Sequence, residues 1–262
     1  MAHTLYENKV LENKIESLLT TAIDMNSYMT IDNSLTQTAG MKKAVNVYTA
    51  SGNVEDVAEG QGNSGDISVS FTTKEYEVKT TQGKFSYFDE QEMKDPMVVE
   101  VGLKAIAEKM TNDLTAKAIA ELGKASKTAT YAATGITFDN IVDAIATLNV
   151  EDESGLFLLV NVADKAGLRK SLGEELKYSE GFARTGYIGS VCGVPVIVSK
   201  AVPASTAFLA TKEAVTCFVK KGSEIEQERT ADTRKNDVIA RKVMVVALTD
   251  NNKVVKLTKA SA

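Results

Sequence analysis

The sequence predicts an α+β fold carrying one extended two-stranded ribbon and one long helix, and three patterns predict it. Residues Ala44-Val45-Asn46-Val47-Tyr48 and Asp66-Ile67-Ser68-Val69-Ser70-Phe71, continued by Tyr76-Glu77-Val78-Lys79, alternate apolar and polar side chains. That is the period of a strand with one wet face. Val99, Leu103, Ile106, Met110, Leu114, Ala118 and Leu122 recur every three to four residues, the period of a helix. Short apolar runs bounded by turn residues then fill the second half of the chain.

Taken in order, Leu5, Val10, Leu11, Ile15, Leu18, Leu19 and Ile23 form a helical stripe over residues 5–23, with a charged back face. Residues 24–43 are polar and irregular and read as an arm. The ribbon comes next, and each arm reaches roughly 40–50 Å at about 3.3 Å per residue. Residues 55–65 between the arms are polar and glycine-rich, with no turn tight enough for a compact hairpin. The alternation slips between Phe71 and Tyr76, which predicts a bulge near Thr72-Thr73-Lys74. A lone ribbon is marginal in water and leaves two open edges. It therefore predicts a neighbouring molecule, and assembly before chemistry.

Phe85-Ser86-Tyr87-Phe88-Asp89-Glu90 leads to Asp95-Pro96, an N-cap followed by a proline suited to the first helical turn. The helix that starts there runs about 27 residues, or roughly 40 Å, and Gly123 is placed to end it. Residues 126–135 are a Thr/Ala-rich link. Thr137 caps a short helix with Ile141, Ile145 and Leu148 on one face, and residues 155–160 read as a strand buried on both faces. A second short helix covers residues 163–172, and residues 173–189 form a polar, glycine-punctuated loop, a candidate functional loop by its length. Strands are expected at 194–199, 207–210, 215–219, 225–229, 238–248 and 254–257.

With 262 residues, 44% hydrophobic and 25% charged, the chain has the composition of a soluble globular protein. Its net charge of −5 excludes a nucleic-acid clamp and suits a surface that lies near DNA without adhering to it. The two cysteines, Cys192 and Cys217, form no disulfide framework, no apolar leader follows Met1, and no run reaches a membrane-spanning length. The expectation is a thiol-reduced protein of cytosolic origin. A single histidine, His3, removes Ser-His-Asp, Cys-His and His-ligated metal chemistry.

Gly60-Gln61-Gly62-Asn63-Ser64-Gly65 matches the dinucleotide-binding GxGxxG, but Asp66 and a strand follow where the site needs a helix N-terminus. It reads as a flexible ribbon tip. A nucleotide-dependent enzyme built on it is the rival from another class. Asp89, Glu90, Glu92 and Asp95 form one acidic cluster, and Glu224, Glu226 and Glu228 a second on one strand face; both read as structural or partner-facing. Cys192 and Cys217 read as small buried hydrophobes.

The order of parts resembles the major capsid proteins of tailed bacteriophages with the Hong Kong 97-type fold. The likeness covers residues 40–258. Its most specific parts are Gly193-Val194-Pro195-Val196-Ile197-Val198-Ser199-Lys200 and Ile225-Glu226-Gln227-Glu228-Arg229. The resemblance implies an N-terminal helix and arm over residues 1–43 and an extended loop over 44–84. A peripheral domain with the spine helix would cover 85–134, an axial domain 135–211, and returning peripheral strands 212–262. It implies intersubunit contact through Val54, Glu55, Asp56, Glu59, Gly60, Gly62, Gly65 and Asp66, and an axial loop carrying Tyr178, Gly181, Arg184 and Gly186.

The resemblance further implies a non-enzymatic shell protein with no cofactor or metal, forming pentamers and hexamers. Its other partners would be a portal, a separate scaffolding protein and packaged DNA held without sequence specificity, with no membrane. The virion capsid is its expected location, after assembly in the host bacterial cytoplasm. Some relatives weld subunits through a lysine near the ribbon tip; residues 55–66 contain none, so no covalent cross-link is expected. The rival within the fold is an encapsulin-type nanocompartment shell.

Overall fold

The computed structural model, which describes residues 25–132, 135–151, 153–176 and 189–260, arranges its strands in two sheets and a separate ribbon. The first sheet has the order β1 (Thr30–Asp32), β10 (Val215–Thr230), β11 (Lys235–Leu248), β4 (Lys79–Phe88). Only the β1–β10 pairing in it is parallel. The second runs β5 (Lys127–Tyr131), β12 (Val254–Lys259), β9 (Thr206–Thr211), β6 (Leu156–Val160), β8 (Val194–Val198), β7 (Ser190–Val191). The ribbon pairs β2 (Lys42–Ser51) with β3 (Ser68–Glu77). Four α-helices punctuate the described residues: α1 (Asp89–Lys94), α2 (Met97–Leu122), α3 (Phe138–Leu148) and α4 (Val162–Leu176).

The central strands β6 and β9 of the second sheet are buried on both faces, as the unbroken apolar run at 156–160 predicts for β6. Alternate residues serve two cores. Phe157, Leu159, Phe208 and Ala210 pack with Leu114, Ala118, Ile119 and Leu122 of α2. Leu156, Leu158, Val160, Ala207 and Leu209 pack instead with Ile141, Ala144 and Leu148 of α3 and Leu168 of α4. At its other edge the sheet is completed by β12, which pairs with β9 on one side and β5 on the other.

Helix α2 starts where the sequence places it. The Met97 N–H donates to Asp95 Oδ1 at 3.0 Å, and Pro96 already has helical dihedrals. Its end differs from expectation, because Gly123 keeps a right-handed φ of −61°. The last turn tightens instead, with Lys124 N–H on Glu121 O at 3.0 Å and Ala125 N–H on Leu122 O at 3.1 Å. In α3 the Asn140 N–H donates to Thr137 Oγ1, and Asn149 closes the helix in the left-handed region at φ 55°.

Several expectations are corrected. Of the stretch read as an arm over 24–43, the described residues 25–43 are tied down: Met25 and Met29 are buried, β1 pairs with β10, and Lys220 Nζ donates to the carbonyls of Leu35 and Thr38. Residues 127–131 of the supposed link are a strand. The stretches at 215–219 and 225–229 are one strand, interrupted by two register shifts between Val219 and Glu224. Cys217 is buried, but Cys192 is only half-buried, because Cys192 and Gly193 both have positive φ and form the two-residue turn between β7 and β8. The stripe at 5–23 lies outside the described residues, and α4 extends to Leu176 within the stretch expected as a loop.

Gly102 lets α2 settle onto β4. A Cβ there would collide with the Phe85 ring, which is itself stacked on Tyr87. Gly102→Ala gains about 1 kcal/mol of helix propensity but forces the Phe85 ring off the helix and off Tyr87, at roughly 1–3 kcal/mol. The expected outcome is a net loss of stability, read as a lower urea midpoint with an unchanged slope.

Candidate intersubunit interface

The ribbon is anchored at one end only. Tyr76 stacks on Phe218 at 5.8 Å and its hydroxyl donates to Leu248 O at 3.2 Å. Val78 is 3% exposed, packed with Leu35, Phe218 and Ala247. Lys43 Nζ donates to Ser34 Oγ at 2.7 Å and sits over the Phe218 ring. Beyond this base β2 and β3 continue with no body beneath them. They are joined by Thr73 Oγ1 to Asn46 Oδ1 at 2.7 Å, the Ser51–Ser68 hydroxyl pair at 2.8 Å, and the Tyr48–Phe71 ring pair at 5.9 Å.

Register explains the slip in alternation between Phe71 and Tyr76. Pairing runs unbroken from Lys42↔Glu77 to Ser51↔Ser68, so no bulge exists at Thr72-Thr73-Lys74. The apolar side of the ribbon changes face instead. Near the base Val45, Val47 and Tyr76 share the half-buried face that turns to the body. Nearer the tip Tyr48, Ala50, Val69 and Phe71 share the opposite face, and Tyr48, Val69 and Phe71 are 64%, 63% and 63% exposed. Ile67, at the edge of β3, is exposed with them. An apolar cluster held out from the body on a narrow ribbon marks an interaction surface.

The residues expected at the tip all lie in the connection at 52–67. Glu55 folds back, accepting from the Ser64 N–H at 2.9 Å and the Ser64 hydroxyl at 2.6 Å, and these bonds lower its carboxyl pKa. Val54 is exposed, Gly60 has φ 81° beside the Ala58–Gln61 turn, and Gly65 stands near the Glu55 carboxylate. Gly52, at φ 125°, abuts the Asp66 carbonyl and closes the loop neck. Asp56, Glu59, Gly62 and Asp66 are exposed. The GxGxxG stretch runs into β3, so its glycines face no helix terminus. Tyr178, Gly181, Arg184 and Gly186 lie outside the described residues. Sequence reasoning missed Tyr48, Ile67, Val69 and Phe71 as site residues, although the slip was their signal.

Two members of each acidic cluster are drawn into cation pairs within the chain. Asp89 takes Arg229 Nη2 and Asn236 Nδ2, both at 2.6 Å, and Glu90 pairs with Arg234 at 2.8 Å. Glu224 pairs with Arg241 at 2.9 Å, and Glu226 meets the same guanidinium. Among the described residues no group of carboxylates, cysteines and histidines is arranged to hold a metal. No helix among them is long and apolar enough to cross a membrane.

Arg229 lowers the pKa of Asp89, and Lys84 and Ser86 lower that of Asp237. A carboxyl lowered in the folded state contributes stability above its unfolded value, about 3.9 for aspartate, and loses it as pH falls through the lowered value. The urea midpoint is therefore expected to hold from pH 7 to about 5 and to decline below about 4. Asp89→Asn should flatten part of that decline.

The family model for phage capsid proteins matches residues 71–257. A major capsid protein of Staphylococcus phage phiMR11 is 26% identical over 263 residues, spanning 97% of this chain and 93% of the relative. The mature capsid subunit of bacteriophage PhiM1 superposes with a TM-score of 0.71 at 13% identity, covering 93% of this chain and 89% of that one. A capsid chain of a native GTA particle gives 0.69 at 12% identity, covering 93% of each.

Proposed function

This chain belongs to the phage capsid protein family, and from that premise we propose that it is the major head subunit, which self-assembles into an icosahedral shell around packaged double-stranded DNA. Its fold is the Hong Kong 97-type α+β fold. The observation that carries the reading is the ribbon, anchored on its own body by one face and presenting Tyr48, Val69 and Phe71 on the other. Such a surface is filled by the next copy in a ring. The contact is heterologous, tip of one subunit on body of the next, and a closing rotation turns it into pentamers and hexamers. The residues of the 52–67 connection then lie at the intersubunit seam.

The subunit acts by binding rather than catalysis. Its partners on this reading are further copies of itself, a portal, a separate scaffolding protein and the DNA held inside without sequence preference. Its place is the virion, after assembly in the bacterial host. The shell holds without a covalent weld, since residues 55–66 carry no lysine. The nanocompartment alternative draws no support from a family and a curated relative that are both phage capsids.

Negative-stain electron microscopy of the purified protein, with mass from light scattering, tests the proposal. Closed shells or capsomer rings support it. Monomers alone, persisting when the neighbouring scaffold gene is co-expressed, overturn it.

A further inference from the structure

Helix α4 concentrates cations that no carboxylate answers among the described residues. Arg169 and Lys170 are exposed and Lys165 is half-buried, and none of the three makes an ion pair there. At about 100° per residue they span an arc of roughly 140°, which also holds the exposed Val162 and Ala166 and no acid. Asp164, their acidic neighbour, is turned to the body, where its carboxylate accepts from the Tyr131 hydroxyl at 3.4 Å and the Ser205 N–H at 3.1 Å. A fourth cation stands at the start of the helix. The Ser199 N–H donates to Val160 O at 3.0 Å and Asn161 Nδ2 to Val202 O at 2.6 Å, which pins the exposed Lys200 where β6 passes into α4. Other elements answer their cations within the chain. Helix α2 pairs Lys104 with Glu100 and Lys117 with Asp113, and the first sheet pairs Arg241 with Glu224.

The spacing fits a linear polyanion. From Asn161 to Lys170 the helix axis advances about 14 Å. One strand of duplex DNA carries a charge about every 3.4 Å, so four cations over that length meet about four phosphates. We propose that this face of α4, with Lys200, binds the phosphate backbone of duplex DNA and lines the inner wall of the shell. The inference rests on the reading of the chain as a shell around DNA. Phosphate contacts carry no sequence information. Four cations on a chain of net charge −5 hold weakly, and the many copies of a closed shell multiply the contact. The acidic connection at 52–67 of another copy is the other anion at hand. It is compact and its Glu55 is already held by Ser64, whereas the row on α4 is extended.

Fluorescence anisotropy of full-length subunits with a short mixed-sequence duplex tests the proposal. The parent is compared with a triple variant, Lys165→Gln with Arg169→Gln and Lys170→Gln. The parent is expected to bind at low salt. The variant should lower the slope of log K against log salt by about 2.7, from three phosphates at about 0.9 each. Equal slopes in the two chains, or no binding by the parent, overturn the proposal while leaving shell formation untouched. Microscopy of DNA-free preparations separates the two readings, because the variant should form the same shells as the parent. A variant that alone fails to close them overturns the proposal, since α4 is then a seat for another copy. Shells absent from both chains remove the shell-building reading, and the lumenal face with it. Lysine acetylation of the parent particle, read by mass spectrometry, needs no variant. Lys165, Lys170 and Lys200 should be labelled several-fold more slowly in filled than in emptied particles, with Lys94 and Lys109 unchanged. Equal labelling of all five overturns the proposal.

Discussion

Phe71→Asp is expected to leave a folded subunit that no longer closes shells. Phe71 is 63% exposed, and its ring partner among the described residues is Tyr48, across the ribbon. Losing that pair costs the isolated subunit about 1 kcal/mol or less. Against a neighbour the same ring contributes roughly 1.5–3 kcal/mol if fully buried, and a carboxylate in its place is penalised further. Each 1.4 kcal/mol is a factor of ten in affinity, so the critical concentration for assembly should rise at least tenfold. Circular dichroism and thermal melting of the variant should match the parent, and microscopy should find no closed particles. Normal particles would remove the ribbon face from the interface. Deleting residues 53–65 while keeping Tyr48 and Phe71 separates the tip loop from the face. We expect folded capsomers and few closed shells from that chain.

The second large effect lies in β9. Phe208→Ala and Leu209→Ala change adjacent residues that belong to different cores, one against α2 and the other against α3 and α4. Each deletes a fully enclosed side chain, at about 3–5 kcal/mol for Phe208 and about 2–5 kcal/mol for Leu209. Native domains hold only about 5–15 kcal/mol in total. Because the two cores share one sheet, both variants should lower a single cooperative urea transition rather than split it. Two separate transitions would show that the cores are energetically independent.

Legibility in the sequence tracks the range of the interactions. Helix α2 is readable because Asp95, Pro96 and a stripe of period 3.6 are local signals, and β6 because five consecutive apolar residues are. Strand β5 is not. In Lys127-Thr128-Ala129-Thr130-Tyr131 only Tyr131 is a large apolar residue, and the strand exists because β12, far along the chain, pairs with it. The 25–43 stretch misleads for the same reason, its order coming from β10 and Lys220. Residues 215–230 read as two strands because Lys220-Lys221-Gly222-Ser223 interrupts the alternation at the register shifts. In the ribbon the strands are legible and the interface half so. A slip in period 2 reads identically whether a bulge inserts a residue or the apolar side changes face. Only the partner strand's register distinguishes them, and it identifies Tyr48 and Phe71 as the exposed pair.

The doubly buried sheet also fixes where a shell of such subunits can yield. A layer held between packed cores on both sides resists shear, since any sliding of β6 or β9 opens voids in both at once. The ribbon has no such restraint towards its tip: past Val47 its described side chains are exposed. The ribbon's root lies near Met41, where the Val78 N–H meets the Met41 carbonyl at 2.8 Å. The subunit is built as a packed tile with a strap held at one end.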